Sequence, residues 1–221
     1  MSLTRRDFLG CSALCAAAAA VGISEAGETS VQGKNLALIH DETKCIGCRA
    51  CEQACREVNQ VPEGVSRLKL NIDGPYHEED QPYYAFTRES CQHCQDAPCI
   101  SVCPTGAAFR DEATGIVDVD PFKCVGCQYC LAACPYRVRF INPVTKAADK
   151  CDFCRKTNLA QGKLPACVEA CPTGALIFGD LNDRNSELVS VLRNARTVRD
   201  KLDLGTNPKL FRIPSQKPGV L

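Results

Sequence analysis

The run Cys124-Val-Gly-Cys127-Gln-Tyr-Cys130-Leu-Ala-Ala-Cys134-Pro135 limits what this chain can fold into more than any other feature. Its C-x2-C-x2-C-x3-C-P spacing is that of iron–sulfur ligation: three close thiolates wrap one cubane cluster, and the fourth reaches a different one. A second run, Cys91, Cys94, Cys99 and Cys103, also ends in Cys-Pro and lies just upstream. Two further groups flank this pair, Cys45, Cys48, Cys51 and Cys55 on one side and Cys151, Cys154, Cys167 and Cys171 on the other. Four groups of four predict four [4Fe–4S] clusters.

Eighteen cysteines in 221 residues also raise a disulfide scaffold and structural zinc as readings. The chain is long for the first, and its cysteines recur as C-x-x-C units. Zinc can use paired C-x-x-C groups but does not require the C-x2-C-x2-C-x3-C run. With 26 basic and 26 acidic residues the net charge is zero, so no nucleic-acid footprint exists. Aromatic residues are 6% and tryptophan is absent, which predicts a modest apolar core and a fold held largely by metal–thiolate bonds.

Residues 1–26 read as a targeting segment. Arg5-Arg6 precede the apolar Gly10–Ile23, and Ser24-Glu25-Ala26 offers small residues for cleavage. The apolar stretch is 14 residues long, short of the ~20 that span a bilayer. The pattern resembles a twin-arginine export signal, with an uncleaved anchor as the alternative. Export by that route carries a protein across already folded, with its clusters in place. It puts the mature chain in the periplasm. Nothing after Ile23 resembles a membrane span.

Leu36–His40 reads as a strand leading to the first group. Gly47 is expected where backbone comes close to a cluster, and Cys51–Val58 as one or two helical turns. Residues 59–82 are expected to be a connecting loop, marked by Pro62, Gly64, Gly74, Pro75 and the acidic Glu78-Glu79-Asp80. That loop is either solvated or a partner's docking surface, and His77 within it has no assigned role. Tyr83–Thr87 is strand-like. Phe109 and Ile116–Val119 flank a turn and predict a hairpin. His93 lies between two ligands and is expected to face solvent or to stand beside the cluster. Arg137–Asn142 reads as a strand and Arg155–Ala166 as a surface loop. Ser186–Lys201 reads as a helix, followed by an extended tail. Cys103-Pro-Thr-Gly-Ala107 recurs as Cys171-Pro-Thr-Gly-Ala175, an internal duplication.

Because the last cysteine of a run ligates the other cluster of its pair, the second and third groups share two clusters. One takes Cys91, Cys94, Cys99 and Cys134; its mate takes Cys103, Cys124, Cys127 and Cys130. The first and fourth groups then supply Cys45, Cys48, Cys51 and Cys171 for one cluster and Cys55, Cys151, Cys154 and Cys167 for another. The fold class is α+β, two nested ferredoxin-like units. The outer unit is 27–58 with 138–180, the inner unit is 83–137, and 181–221 adds a C-terminal helix and tail. The rival arrangement, two sequential units, pairs the first group with the second and the third with the fourth.

A cubane with a full thiolate shell leaves no open iron for substrate, which argues against catalysis and for electron transfer. No C-x-x-C-H haem site, phosphate loop or radical-enzyme C-x3-C-x2-C is present. Lys44, Lys123 and Lys150 each precede a group's first cysteine, and either raise cluster potentials or are ordinary solvated lysines.

Taken together, the four groups resemble the four-cluster ferredoxin subunits of bacterial membrane-linked oxidoreductases, among them those of dimethyl sulfoxide, polysulfide and tetrathionate reductases. CIGCRACEQACREVNQVPEGVSRL, CVGCQYCLAACPYRVRFINPVTKAADKCDFCRKTNL and GKLPACVEACPTGAL resemble in particular the NrfC-type subunits of formate-dependent nitrite reduction. That resemblance implies a peripheral periplasmic protein docked to an NrfD-type quinol-oxidising integral membrane subunit. Electrons would run from menaquinol through the clusters to a multihaem c-type cytochrome and on to nitrite. The alternative it leaves open is service to a molybdenum catalytic subunit.

Overall fold

A computed structural model describes residues 33–78 and 81–215. Residues 1–32, with the segment expected to direct export, Glu79-Asp80 and the last six residues of the tail lie outside the described residues. The described residues from Gly33 to Ser215 form one compact unit.

Its centre is the strand the sequence predicted. β1 (Leu36–Asp41) is buried along its whole length, because it is hydrogen-bonded on both edges. It runs antiparallel to β8 (Leu176–Asp180), with Leu38 opposite Phe178, and parallel to β9 (Leu210–Ile213), with Leu38 also opposite Leu210. Alternate residues point to opposite faces. Leu36 and Leu38 enter one core with Cys55, Cys91, Ile116, Cys151, Phe153 and Cys167, while Ala37 and Ile39 meet Ile177 and Leu188. Leu188 belongs to α5 (Glu187–Asn194), whose first turn is capped by Ser186 Oγ accepting the Val189 N–H at 3.2 Å. Leu38 is fully buried; Leu38→Ala is expected to cost about 2–5 kcal/mol, read as a lower denaturant midpoint under anaerobic conditions.

The β1–β8 pairing joins the two ends of the cysteine sequence, since β8 directly follows Cys171 and β1 leads into Cys45. Between them lie two short hairpins. β4 (Ala108–Arg110) pairs with β5 (Val117–Val119), and β6 (Phe140–Ile141) with β7 (Ala148–Asp149). Four helices carry cysteines: α1 (Ala50–Val58), α2 (Pro98–Ser101), α3 (Tyr129–Ala132) and α4 (Ala166–Glu169). α1 packs on α4, and α2 on α3.

Several expectations are corrected. Residues 59–82 are not a loop throughout: β2 (Leu68–Glu78) pairs antiparallel with β3 (Gln81–Ser90), from Leu68 opposite Ser90 to the hairpin tip. Leu68 and Leu70 are buried, while Lys69 and Asn71 alternate with them on the other face. That period of two outweighs Gly74-Pro75, where the register shifts between Asp73 and Tyr76. The strand expected over 137–142 shrinks to Phe140–Ile141, since Arg137 is left-handed (φ 54°). The predicted C-terminal helix stops at Asn194, and Val198 instead exchanges backbone hydrogen bonds with Arg212 at 2.8 and 2.9 Å. The tail does run extended, but as β9 it completes the central sheet. No helix among the described residues is long and apolar enough to cross a membrane.

Candidate metal centres

Cys45, Cys48, Cys51 and Cys171 line one cavity, together with His40, Arg88 and Pro172. Three come from the loop and helix after β1, and the fourth arrives from the far end of the sequence through the β1–β8 pairing. Cys91, Cys94, Cys99 and Cys134 line a second cavity with Tyr136 and Arg139. Cys55, Cys151, Cys154 and Cys167 lie close enough to act electrostatically on one another. Their elements are α1, the loop after β7, and α4. Cys103, Cys124 and Cys130 gather around Ala107, Val119 and Ala148, with Cys127 exposed in the same loop. The first two cavities each bring together four cysteines that the spacing grouped, while Cys51 lies near Cys167, and Cys130 packs beside Cys94 and Cys99 across those groupings.

The donors around the sulfurs suit thiolates bound to metal. The N–H of Ala108 reaches Cys103 Sγ, that of Ala148 reaches Cys124 Sγ and that of Ala175 reaches Cys171 Sγ, each at 3.3 Å. The duplicated Cys-Pro-Thr-Gly-Ala turn thereby has a chemical purpose: it folds the backbone so that a following N–H points back at the sulfur. Burial works against ionisation of Cys103 and Cys171, yet these N–H groups and the hydroxyls of Thr105 and Thr173 hold both thiols below their usual range. Asn59 Nδ2 donates to Cys154 Sγ at 3.3 Å, and Arg139 Nη2 to Cys99 Sγ at 3.1 Å. Burial pushes the thiols of Cys51 and Cys55 up, to about 11 and about 12. Loading metal there must displace protons.

Arg88 supplies the firmest test of fit. It is buried, its Nε donates to Ser90 Oγ at 2.9 Å, and Nη1 and Nη2 have no hydrogen-bond partner. Burial opposes its charge, but the thiolates of Cys167, Cys151, Cys51 and Cys55 outweigh that and raise its pKa. An anionic group among these cysteines satisfies the guanidinium. Thiolate-bound iron–sulfur clusters are such groups, and each accepts and returns one electron.

The third residue of each group's opening C-x-x-C is left-handed: Gly47 at φ 71°, His93 at 45°, Gly126 at 69° and Phe153 at 54°. At Gly47 the sequence reading of close approach holds, because a Cβ there would strike the Phe86 ring. His93 and Phe153 carry side chains in a conformation costing about 1–2 kcal/mol for an L-residue. Both are fully buried, and their rings stack with centroids 3.8 Å apart. The pair bridges the neighbourhoods of Cys91–Cys94 and Cys151–Cys154. His93 therefore does not face solvent. Its Nδ1 accepts the Val117 N–H at 3.3 Å, and burial, then Lys150, Lys209, Arg139 and Arg88, keep it neutral. The stack, Arg88 and Arg139 escape sequence reasoning; a non-glycine residue where two other groups carry glycine is the only signal that could have found the stack.

Residues 44–107 and 82–181 each match a family model described as a 4Fe-4S dicluster domain. Two such domains give the chain four [4Fe–4S] clusters. Among characterised proteins it is 61% identical to Protein NrfC of Escherichia coli over 215 residues, 97% of this chain and 96% of that one. It is 50% identical to the B subunit of the polysulfide reductase of Wolinella succinogenes, covering 85% of this chain and 98% of that one. The thiosulfate reductase electron transfer subunit PhsB of Salmonella typhi is 55% identical over 66% of this chain and 76% of its own length.

Proposed function

The chain belongs to the NrfC family of iron–sulfur electron-transfer subunits, and from that premise we propose that it carries electrons from a quinol-oxidising membrane subunit to a periplasmic multihaem cytochrome that reduces nitrite. It does so without catalysing a reaction of its own. The clusters are held by Cys45, Cys48, Cys51 and Cys171; by Cys55, Cys151, Cys154 and Cys167; by Cys91, Cys94, Cys99 and Cys134; and by Cys103, Cys124, Cys127 and Cys130. The nested arrangement of two ferredoxin-like units follows from these sets.

The observation that carries this reading is the gradient of burial. The second and third sets hold all seven buried cysteines, whereas the only exposed ones among the described residues, Cys48 and Cys127, belong to the first and last. The His93–Phe153 stack joins the two inner sets, and Cys51 lies near Cys167 where the first meets the second. Such an order is what a wire needs: insulated in the middle and accessible at both ends. The protein is peripheral on the periplasmic face of the inner membrane, exported folded on its twin-arginine signal, and its membrane partner is an NrfD-type subunit.

The likeness to the polysulfide and thiosulfate reductase subunits favours a second reading, service to a molybdenum catalytic subunit. An anaerobic affinity pull-down from detergent-solubilised membranes, analysed for covalent haem and for molybdenum, separates the two. Haem without molybdenum is expected. Molybdenum without haem would move the protein to the reductase branch.

A further inference from the structure

Burial sorts the basic residues near the cysteines into two kinds. Lys44 and Lys123 have side chains 55% and 65% exposed and pair with Asp41 and Asp120. Water and salt screen such charges. Arg88 and Arg139 are only 5% and 7% exposed. Neither is paired with a carboxylate among the described residues. Arg139 Nη2 donates to Cys99 Sγ at 3.1 Å and leaves Nη1 without a partner, as Arg88 leaves both its Nη atoms. A guanidinium withdrawn from water with unpartnered nitrogens is costly unless an anion stands beside it. The anions within reach of Arg139 are the thiolates of Cys99 and Cys91, with Cys130 also close. Those within reach of Arg88 are Cys167 and Cys151, with Cys51 and Cys55 beyond them, and Arg88 also borders the Cys45–Cys171 cavity.

We propose that Arg88 and Arg139 set the reduction potentials of the two inner cluster sites, each guanidinium making the site beside it easier to reduce. The inference rests on the ligand sets given above. Reduction of a site adds one electron, and hence one negative charge, with no protein bond formed or broken and no proton required. A fixed cation in a low-dielectric interior favours the more negative form, and does so more strongly than an exposed one. The two arginines come from β3 and from the residue before β6, outside the cysteine loops, whereas the buried Lys150 precedes Cys151 but donates its ammonium hydrogens to the carbonyls of Val117 and Cys151. The lysines that precede the first and third groups do not perform this task.

The test is an anaerobic dithionite titration of the purified full chain, followed by electron paramagnetic resonance, on wild type, R139Q, R139K, R88Q and R88K. K123Q serves as the surface control, and C99S identifies the signal of the site beside Arg139. R139Q is expected to shift the reduction equilibrium of that site about tenfold toward the oxidised form, a fall of about 59 mV for a one-electron couple. R139K should recover most of the shift, R88Q should lower a different site, and K123Q should change nothing. Unchanged potentials in both Gln variants, or a shift confined to a signal other than the one C99S removes, would overturn the proposal. If R139Q cannot hold iron, R139K decides: a wild-type potential supports a charge effect, and a tenfold shift despite the retained charge refutes it. The titration uses the isolated chain, so its outcome is independent of which terminal reductase the protein serves.

Discussion

Removing the iron with an anaerobic chelator is expected to unfold this protein rather than leave an empty scaffold. The main core is built as much from ligands as from hydrocarbon: Cys55, Cys91, Cys151 and Cys167 pack with Leu36, Leu38, Leu68 and Ile116 in one cluster. The central sheet has three strands, and the remaining strands are hairpins. Structural zinc in finger peptides contributes roughly 10–16 kcal/mol, comparable with the roughly 5–15 kcal/mol of net stability of an ordinary domain, and iron–thiolate ligation couples to folding in the same way. Loss of four clusters therefore exceeds what the apolar core can supply. It would also strand Arg88 and Arg139, whose buried nitrogens need anions. Far-ultraviolet circular dichroism and amide exchange at Leu38 and Ile39 in β1 provide the check. Amides that stay protected after full iron removal would show that the sheet stands without metal.

Single cysteine replacements should then divide by position. Cys127→Ser alters an exposed ligand in the loop before α3. It is expected to lose or convert one cluster, with iron falling by about a quarter since one of four sites is affected, while its mate through Cys134 largely survives. Cys151→Ser alters a buried ligand that shares its core with Leu38 and stands beside Cys55, Cys167 and Arg88. That substitution is expected to forfeit nearly all iron and the soluble protein with it, because the lesion lies where cluster and core are the same object. Iron analysis with electron paramagnetic resonance of both variants checks the contrast. Loss of all iron from Cys127→Ser would instead make assembly of the four sites one cooperative event.

The sites were more legible than the scaffold. Cysteine spacing is a local property, set by how far a few residues of backbone can reach, so the four groups could be counted before any fold was known. The hairpin β2–β3 was missed although Leu68 and Leu70 alternate with Lys69 and Asn71, because glycine and proline in the same stretch were read as loop signals. The end of α5 was set too far along for a related reason. Val198 is apolar enough to extend the helical pattern, but its backbone is taken by Arg212 from a strand that the linear pattern does not reveal.

The sequence by itself determined the cofactor and the number of sites, since iron–sulfur ligation depends on residue type and on separations of a few residues. Tertiary structure alone decided the environment of each site. It buried Cys55, Cys91, Cys94, Cys99, Cys151, Cys154 and Cys167 and left Cys48 and Cys127 exposed. It stacked His93 on Phe153, and it brought Arg88 from β3 and Arg139 from the edge of β6 against thiols far away in the chain. Burial and electrostatic neighbourhood are sums over segments distant in sequence, joined here by the β1–β8 and β1–β9 pairings, and no local pattern encodes such a sum.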